Sequence, residues 1–546
     1  MGQWEEPIDK REMMQNSDTK TEKRDPDKSD FCFYPFFQVL MTADGKYKPC
    51  SKHGEFITNK GSVLKAGEST LEDAWDSDYM TKLRSNFKNE VRSLGCRECW
   101  KEQDIGLKPM RYDSYSYPIP EHQVENPQKP MRLEINSSNV CNLKCRICMP
   151  SASHKWIDEA RDLYGWNEKV HFNMNKVNVG ITKDWIPHLI EIGLFGGEPL
   201  KSEENIELLK YCVSSGHSNK IKLLINTNGT VYTPELVELF LNFKQVLLNV
   251  SLDDIGERFE YQRKGANWNL VKENMALYLQ KGGLGDDDQL CVKICCTVST
   301  LNIYYFPEYF DELNKLFPGL RVYWNLLYDP WQLSIQLLPQ TVKEKIKERL
   351  LVKMKTSYDM TEFGTKTVDT LVTYLAGDDP RSFDGFFKYV RRHDLYRKES
   401  FMNMFPEFWE LLKPFEPKNL KESVSIPTDK QIDSGEYLKA KQALALELDS
   451  YKQTIETDSI VLDQLEPALF GFFETCINRF GFSAEERAKQ QTIKELYRNE
   501  KFNKRGFIQA ILLHGGDRIS HLIHDNTEED ILIIFKEQYL STYSIV

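Results

Sequence analysis

Between Met131 and Leu327 the chain alternates between two hydrophobic periods. Short runs rich in Val, Ile, Leu and Cys predict strands at about Ile190–Phe195, Lys222–Asn226, Gln245–Leu252, Cys291–Val298 and Arg321–Leu327, with Met131–Asn136 ahead of them. Helical spacing fills the gaps, around Ser151–Tyr164, Ser202–Ser215, Pro234–Leu241, Leu270–Lys281 and Tyr304–Leu316. Six strands with five intervening helices, at βα lengths, predict an α/β fold: a parallel sheet curled as a partial (β/α)6 TIM-like barrel that works at the C-terminal ends of its strands. After Pro330 the pattern turns helical, at Thr341–Lys355, Val368–Leu375, Phe383–Tyr396, Phe405–Leu412, Ser434–Thr457, Val461–Phe480, Ser483–Glu500 and Glu528–Tyr539. Three prolines between Lys413 and Pro427 mark a linker before a C-terminal helical domain, whose task is recognition or plain packing. Ahead of the strands, Leu71–Arg84 is helix-like, and Asp44-Gly45 between apolar flanks predicts a hairpin turn.

Composition narrows the class. The 546 residues are 40% hydrophobic and 12% aromatic, enough for real cores and for three or four folded units. Lys and Arg number 71 against 82 Asp and Glu, a net charge of −11 that argues against general nucleic-acid or anionic-membrane binding. The longest apolar stretch, near Phe31–Met41, falls short of the ~20 residues that span a bilayer. Met1–Asp30 is dense in charge, with no apolar h-region, and reads as a solvated, disordered tail rather than a secretory signal. A soluble, cytoplasmic protein is expected.

Seven of the twelve cysteines lie between Cys32 and Cys148, in two groups. In a reducing compartment such clustering points to metal or catalysis before disulfides. Cys141-Asn-Leu-Lys-Cys145-Arg-Ile-Cys148 puts three thiolates within one short loop. They can hold an iron–sulfur cube with one iron open to a non-protein ligand, or structural zinc if His154 supplies a fourth ligand. In the other group, Cys32, Cys50, Cys96 and Cys99, the hairpin brings Cys32 and Cys50 together on adjacent strands and provides four thiolates for a closed site. By spacing alone zinc and an iron–sulfur cluster stand level there. Cys212, Cys291, Cys295, Cys296 and Cys476 read as small buried hydrophobes, although Cys295 or Cys296 could face the cavity. His514, His521 and His524 read as surface or capping residues.

Three further polar clusters leave strand ends at the same mouth as the Cys141 loop. They are Gly196-Gly197-Glu198-Pro199, Asn226-Thr227-Asn228-Gly229 and Ser251-Leu252-Asp253-Asp254. Paired glycines let a backbone pass close to a ligand, and Pro199 sets the exit direction. Carbonyls there suit a ligand ammonium, Asn226, Ser251 and Asp253 suit ribose hydroxyls, and Arg263 suits a ligand carboxylate. Taken singly, each fragment also reads as an ordinary βα or Asx turn.

In this order the motifs resemble the radical S-adenosylmethionine (SAM) superfamily over about Cys32–Pro330, and more weakly to about Leu412. The resemblance implies that Cys141, Cys145 and Cys148 hold a [4Fe–4S] cluster whose open iron is chelated by SAM. It places Gly196, Gly197 and Glu198 at the SAM amino group and Ser251 and Asp253 at the ribose; Pro199, Asn226, Asn228 and Arg263 are read with them as cofactor-binding from their place at the same mouth. Ile147 departs from the pattern, standing where many members place an aromatic beside the adenine. Cys32, Cys50, Cys96 and Cys99 resemble a twitch or SPASM module and imply one auxiliary [4Fe–4S] cluster. Such a module usually follows the barrel, and Ser51 stands where a second adjacent cysteine often occurs.

The implied domains are a polar tail at 1–30, the auxiliary module at 31–130, the barrel at 131–330, a helical extension at 331–415 and the C-terminal helical domain at 416–546. The implied activity is reductive SAM cleavage to a 5′-deoxyadenosyl radical that takes hydrogen from a peptide or protein, fed by a one-electron reductant such as flavodoxin or ferredoxin. A tight, apolar upper barrel is expected around such a radical. A nucleotide, RNA or small-metabolite substrate is the alternative within that class; outside it stands a non-catalytic zinc scaffold in which the barrel only presents the helical domain.

Overall fold

The structure is a computed structural model that describes residues 25–418 apart from positions 28, 105, 107, 137, 165–183 and 355–367. The expected tail before residue 25, the helices beyond 418, Cys476 and the three C-terminal histidines lie outside the described residues. The described chain clusters into two compact units. Of the described residues, one comprises those within 25–157, 184–335, 343–354 and 368–376, the other those within 158–164, 336–342 and 377–418.

The first unit is built on one sheet of eight strands: β1 (Gln38–Met41), β2 (Tyr47–Lys48), β3 (Arg132–Asn136), β4 (Glu191–Phe195), β5 (Lys222–Thr227), β6 (Gln245–Ser251), β7 (Leu290–Val298) and β8 (Val322–Leu326). Their order is β8-β7-β6-β5-β4-β3-β1-β2, parallel throughout except for the β1–β2 hairpin. The six strands expected from the pattern stand within about two residues of their predicted limits. The hairpin forms around Asp44-Gly45, with Gly45 at φ +81. What the pattern does not announce is that β1 continues the sheet, pairing Gln38 with Arg132 and Leu40 with Glu134.

Two local expectations change. Cys32 is not on a strand: Pro35 at the first turn starts a short helix, Tyr34–Phe37, between it and β1. The stretch Leu71–Arg84 is broken into Leu71–Trp75, closed by a Thr70–Asp73 capping box, and Asp78–Lys88, N-capped by Ser77.

Period-2 alternation sorts the sheet into two faces. Ile192, Leu194, Leu223, Ile225, Val246, Leu248, Val250, Ile294 and Cys296 share one face and are fully buried, each such aliphatic side chain contributing about 1.5–3 kcal/mol. By register the opposite face carries Gln38, Arg132, Glu134, Glu191, Asn226, Asn249, Ser251, Cys295, Tyr323 and Asn325. Low on that face Arg132 is held by Glu134 at 2.5 Å and by Glu191 and Gln38. Among the described residues no helix is long and apolar enough to cross a membrane.

In the second unit, helix Asp384–Arg397 brings His393 Nδ1 and Arg397 Nε to 2.6 and 2.7 Å from Glu159 Oε1, with all three side chains fully buried. Burial alone would raise the Glu159 carboxyl, but the His393 hydrogen bond and the Arg397 charge outweigh it and hold the group down at about 2. A carboxyl depressed on folding contributes stability above its unfolded value near 4.5 and loses it as pH falls toward 2, on the order of 3 kcal/mol in all. Acid titration of thermal stability should therefore fall across that window in the wild type. In Glu159→Gln the fall should be shallower, on a baseline already lowered near neutral pH; identical acid profiles would refute the coupling.

Candidate metal centre and ligand pocket

The three cysteines after β3 converge. Cys141 and Cys145 are buried and pack with Leu143, Ile147, Cys148 and Ala266 as one cluster, Ile147 covering it where an aromatic is the commoner choice. The Cys145 and Cys148 thiols hydrogen-bond each other, and Cys141 lies within electrostatic range of both. Burial pushes the Cys141 thiol up to about 11, while the Leu143 N–H at 3.4 Å and Asn228 Nδ2 at 3.8 Å pull it back. Bringing such sulfurs to the ligand state needs a cation, and N–H groups aimed at them stabilise the thiolate form. Among the described residues no group of three or more His, Cys, Asp or Glu is drawn up around a single metal ion. His154 Nδ1 accepts the Cys141 backbone N–H at 3.2 Å, so that nitrogen braces the loop instead of completing a zinc tetrahedron.

Several residues that the linear pattern did not single out hold this loop. Lys144-Cys145 pairs antiparallel with Arg263-Lys264. Arg146 is fully buried, its guanidinium 3.7 Å from the Tyr261 ring centroid and its Nε 3.1 Å from Tyr261 O. Trp156 Nε1 donates to Cys145 O at 2.8 Å. Only the Arg146–Tyr261 pairing across the chain makes their role visible, and it leaves no local signature.

The paired glycines receive the cysteine loop. Gly197 N and Glu198 N donate to Ser138 O and Val140 O at 3.0 and 2.8 Å. A Cβ on Gly197 would stand 2.3 Å from Val140 O, and Gly196 has φ +104 with 2.8 Å of room to Ser138 O. Backbone cannot yield as a flexible side chain can. Gly197→Ala should therefore displace the loop and cut iron retained at Cys141, Cys145 and Cys148 by about 10–100-fold in affinity, the range for disturbing a ligand's support, without affecting Cys32, Cys50, Cys96 and Cys99. Metal analysis of the two sites decides this; equal retention at both would contradict it.

Around this loop the candidate residues divide into braces and open groups. Glu198 is buried and accepts from Leu200 N at 3.1 Å, Thr227 Oγ1 at 2.8 Å and Asn228 N at 2.7 Å, tying the strand ends together; burial nonetheless raises its carboxyl. Pro199 opens a single 3-10 turn and accepts from Asn205 Nδ2 at 3.0 Å. Asn228 also donates to Asn142 Oδ1 at 3.0 Å. Asp253 and Arg263, read in the sequence as separate ligand contacts, meet at 2.7 Å, with Thr297 N on the other Asp253 oxygen at 2.8 Å. Arg263 is 6% exposed, its Nη1 lies 3.9 Å from Cys145 Sγ, and its Nε has no hydrogen-bond partner. Asp254 turns instead to Arg258 at 3.0 Å and Gln262 at 3.2 Å, and burial pushes it up to about 6.

The wall beyond is polar where an apolar one was expected. Asn249 Nδ2 donates to the half-buried Asn226 at 2.9 Å, half-buried Ser251 follows on the same face, and Tyr323 engages both Asn226 and Cys295. Asn325 Nδ2 lies 3.6 Å from Cys295 Sγ. Cys295 thus faces polar partners, as does the fully buried Cys296, whose sulfur lies 3.8 Å from Asn302 Nδ2 and 4.0 Å from Asp253 O, whereas Cys212 and Cys291 are fully buried as expected of small hydrophobes.

The N-terminal cysteines form a second group. Cys96 feels the charge of all three other members, Cys32 that of Cys50 and Cys99, and Cys50 that of Cys99, and burial is the main force raising all four thiols, Cys50 to about 12. Backbone N–H groups reach three of the sulfurs: Tyr34 to Cys32, Lys52 and His53 to Cys50, and Arg111 to Cys99. Four neighbouring thiols, three of them reached by backbone N–H donors, are the number that a fully coordinated cluster needs. The hairpin ties this group to the sheet, since Gln38 at the start of β1 donates to Pro49 O at 3.1 Å beside Cys50, and Cys50 feels Glu134 of β3.

Comparison with known proteins agrees with this layout. Residues 135–316 match the radical SAM superfamily, and residues 32–100 match SPASM, an iron–sulfur cluster-binding domain. The chain is similar to a GTP 3′,8-cyclase of Campylobacter curvus, 30% identical over 129 residues, which is 23% of this chain and 35% of the relative. It is also similar to the radical SAM cyclopropyl synthase TigE of Paramaledivibacter caminithermalis, 24% identical over 153 residues, 27% of this chain and 32% of the relative. The chain thus spans about a third of the length of these curated relatives. Among solved structures, anSMEcpe with bound AdoMet and Cp18Cys peptide aligns at 20% identity and TM-score 0.28, covering 40% of this chain and 58% of that one. SuiB of Streptococcus suis bound to the precursor peptide SuiA aligns at 15% identity and TM-score 0.30, covering 58% and 70%.

Proposed function

We infer that this chain, which carries a radical SAM domain with a SPASM domain ahead of it, is a radical SAM enzyme acting on a peptide or protein. The observation that carries the reading is the meeting of the Cys141, Cys145 and Cys148 thiols beside a buried arginine with an unpartnered N–H. The radical SAM domain implies a [4Fe–4S] cluster and SAM, and the SPASM domain implies auxiliary iron–sulfur binding. Cys141, Cys145 and Cys148 would hold the first cluster; Cys32, Cys50, Cys96 and Cys99 would hold the second. When bound, the reduced cluster and SAM supply a 5′-deoxyadenosyl radical able to take hydrogen from an unactivated C–H bond.

The chain's own residues orient and enclose. Arg263, fixed at one end by Asp253, offers Nε–H to a ligand carboxylate. Gly196, Gly197, Glu198 and Pro199 hold the cysteine loop against the strand ends, and Asn228 supports Cys141. Asn226 and Ser251 suit ribose hydroxyls. The six parallel strands from β3 to β8 serve as the partial barrel, within a domain running over about 131–330, and the auxiliary module covers 31–130. Electrons would come from a one-electron reductant such as flavodoxin or ferredoxin.

The peptide assignment follows the SPASM resemblance, and the amide-bearing wall of Asn226, Asn249 and Asn325 suits a substrate rich in hydrogen-bonding groups. Similarity to a GTP 3′,8-cyclase favours a nucleotide as the second reading. Reduced, iron-loaded protein should convert SAM to 5′-deoxyadenosine carrying deuterium from a labelled peptide. Deuterium arriving only from labelled GTP would move the substrate class, and no 5′-deoxyadenosine at all would remove the enzyme reading.

A further inference from the structure

Low on the polar face of the sheet, two buried carboxylates share one cation. Among the described residues, Arg132 is the single charged partner of both Glu134 and Glu191. Glu191 Oε1 takes the Arg132 Nε–H and the Tyr117 hydroxyl, the latter at 3.0 Å. Glu134 Oε1 takes the Arg132 Nη1–H at 2.5 Å, but Glu134 Oε2, in a residue 3% exposed, has no hydrogen-bond partner. Gln38, the other side chain on the guanidinium, is neutral. The group therefore holds one negative charge more than it neutralises, and a buried charge is costly until a counter-ion meets it.

Register shows what stands beside that carboxylate. Glu134 faces Gly193 on β4, and a Cβ on Gly193 would lie 3.3 Å from Glu134 Cγ and 2.6 Å from Phe195 Cε2. The Phe195 ring thus folds back along its own strand, and both side chains occupy the notch that the glycine leaves. Phe195 is half-buried and pairs with Asn136; since Leu194 pairs with Ile225, the same level continues into Asn226 and Asn249. The notch lies one layer beneath that amide wall.

We propose that Glu134, with Phe195 beside it, is a binding site for a primary ammonium group, the ε-amino group of a lysine side chain on the substrate. A surplus carboxylate calls for a cation. One open oxygen suits the point charge of an ammonium, whereas a guanidinium fork wants two acceptors and Oε1 is already taken by Arg132. An aromatic ring alongside suits both the cation and the methylenes of its stem. Glu134 also lies within electrostatic range of Cys50, so the bound cation would stand on the side of the N-terminal cysteines. The proposal rests on the reading that the chain acts on a peptide or protein, and narrows that substrate to one presenting a lysine.

The test is calorimetric titration of the iron-loaded full chain with N-acetyl-lysine methylamide, its arginine counterpart and the uncharged norleucine counterpart. The lysyl probe should bind about tenfold or more tighter than the norleucyl probe, as expected of a hydrogen bond to a charged group. Glu134→Gln, which keeps an oxygen for Arg132 and removes the surplus charge, should erase that preference, and Phe195→Leu should reduce it. Equal binding of the lysyl and norleucyl probes, tighter binding of the arginyl probe, or an unchanged preference in Glu134→Gln overturns the proposal. If Glu134→Gln does not fold, Phe195→Leu decides: a reduced preference supports the site, an unchanged one overturns it. A lysyl preference in a protein that forms no 5′-deoxyadenosine from SAM would uphold the site and remove the enzyme reading instead.

Discussion

Cys145→Ala should reduce SAM cleavage to 5′-deoxyadenosine by more than about 100-fold under excess chemical reductant, beyond what disturbing a ligand's outer partner produces. Cys145 sits between its two companions: it hydrogen-bonds Cys148, feels Cys141, and lies 3.9 Å from the Arg263 guanidinium. Losing it leaves two thiols, too few to retain an iron–sulfur cube with one open site. The replacement removes one small buried group from a loop also held by Arg146 and Trp156, so the fold should survive. The check is chromatographic quantification of 5′-deoxyadenosine beside a thermal melt. Retained turnover with an unchanged melt would mean that the cluster sits elsewhere.

Arg263→Leu should have two separable effects. Asp253 is 1% exposed and loses its counter-charge, which for a broken buried pair costs on the order of 3–5 kcal/mol of stability. SAM affinity should fall with it, because the Nε–H beside the cysteines is removed. The double variant Asp253→Leu/Arg263→Leu separates the two, since replacing both partners of a buried ion pair by apolar groups is often near neutral. Stability should return in the double variant, and SAM binding, read by equilibrium dialysis of the iron-loaded protein, should not. Recovery of both would make Arg263 purely structural.

The strands were legible because each carries a buried apolar face in strict alternation between helices of ordinary length, as in Ile192 and Leu194 or Val246, Leu248 and Val250. β1 was not legible as a sheet member: four apolar residues carry no period of their own, and the partner strand is far along the chain. The cysteines and Gly196-Gly197 stood out by type and spacing, yet the close approach the glycines serve is to the carbonyl of Val140. Asp253 and Arg263 were legible as polar groups at the mouth, not as a pair, because ion pairing across a loop has no sequence period. The polar wall was also hidden. Asn249, Tyr323 and Asn325 look like minor interruptions of apolar strands until register puts them on one face with Cys295. Pro35 displaced Cys32 from the expected strand by a rule that acts within one turn, and Glu134 gained meaning only beside Gly193 and Phe195.

Iron, acid-labile sulfide and zinc, counted in protein purified without oxygen, test the central claim most directly. The account predicts about eight irons and eight sulfides per chain, falling to about four of each when Cys141, Cys145 and Cys148 are replaced together. Zinc bound stoichiometrically at both cysteine groups, with no sulfide, would contradict it.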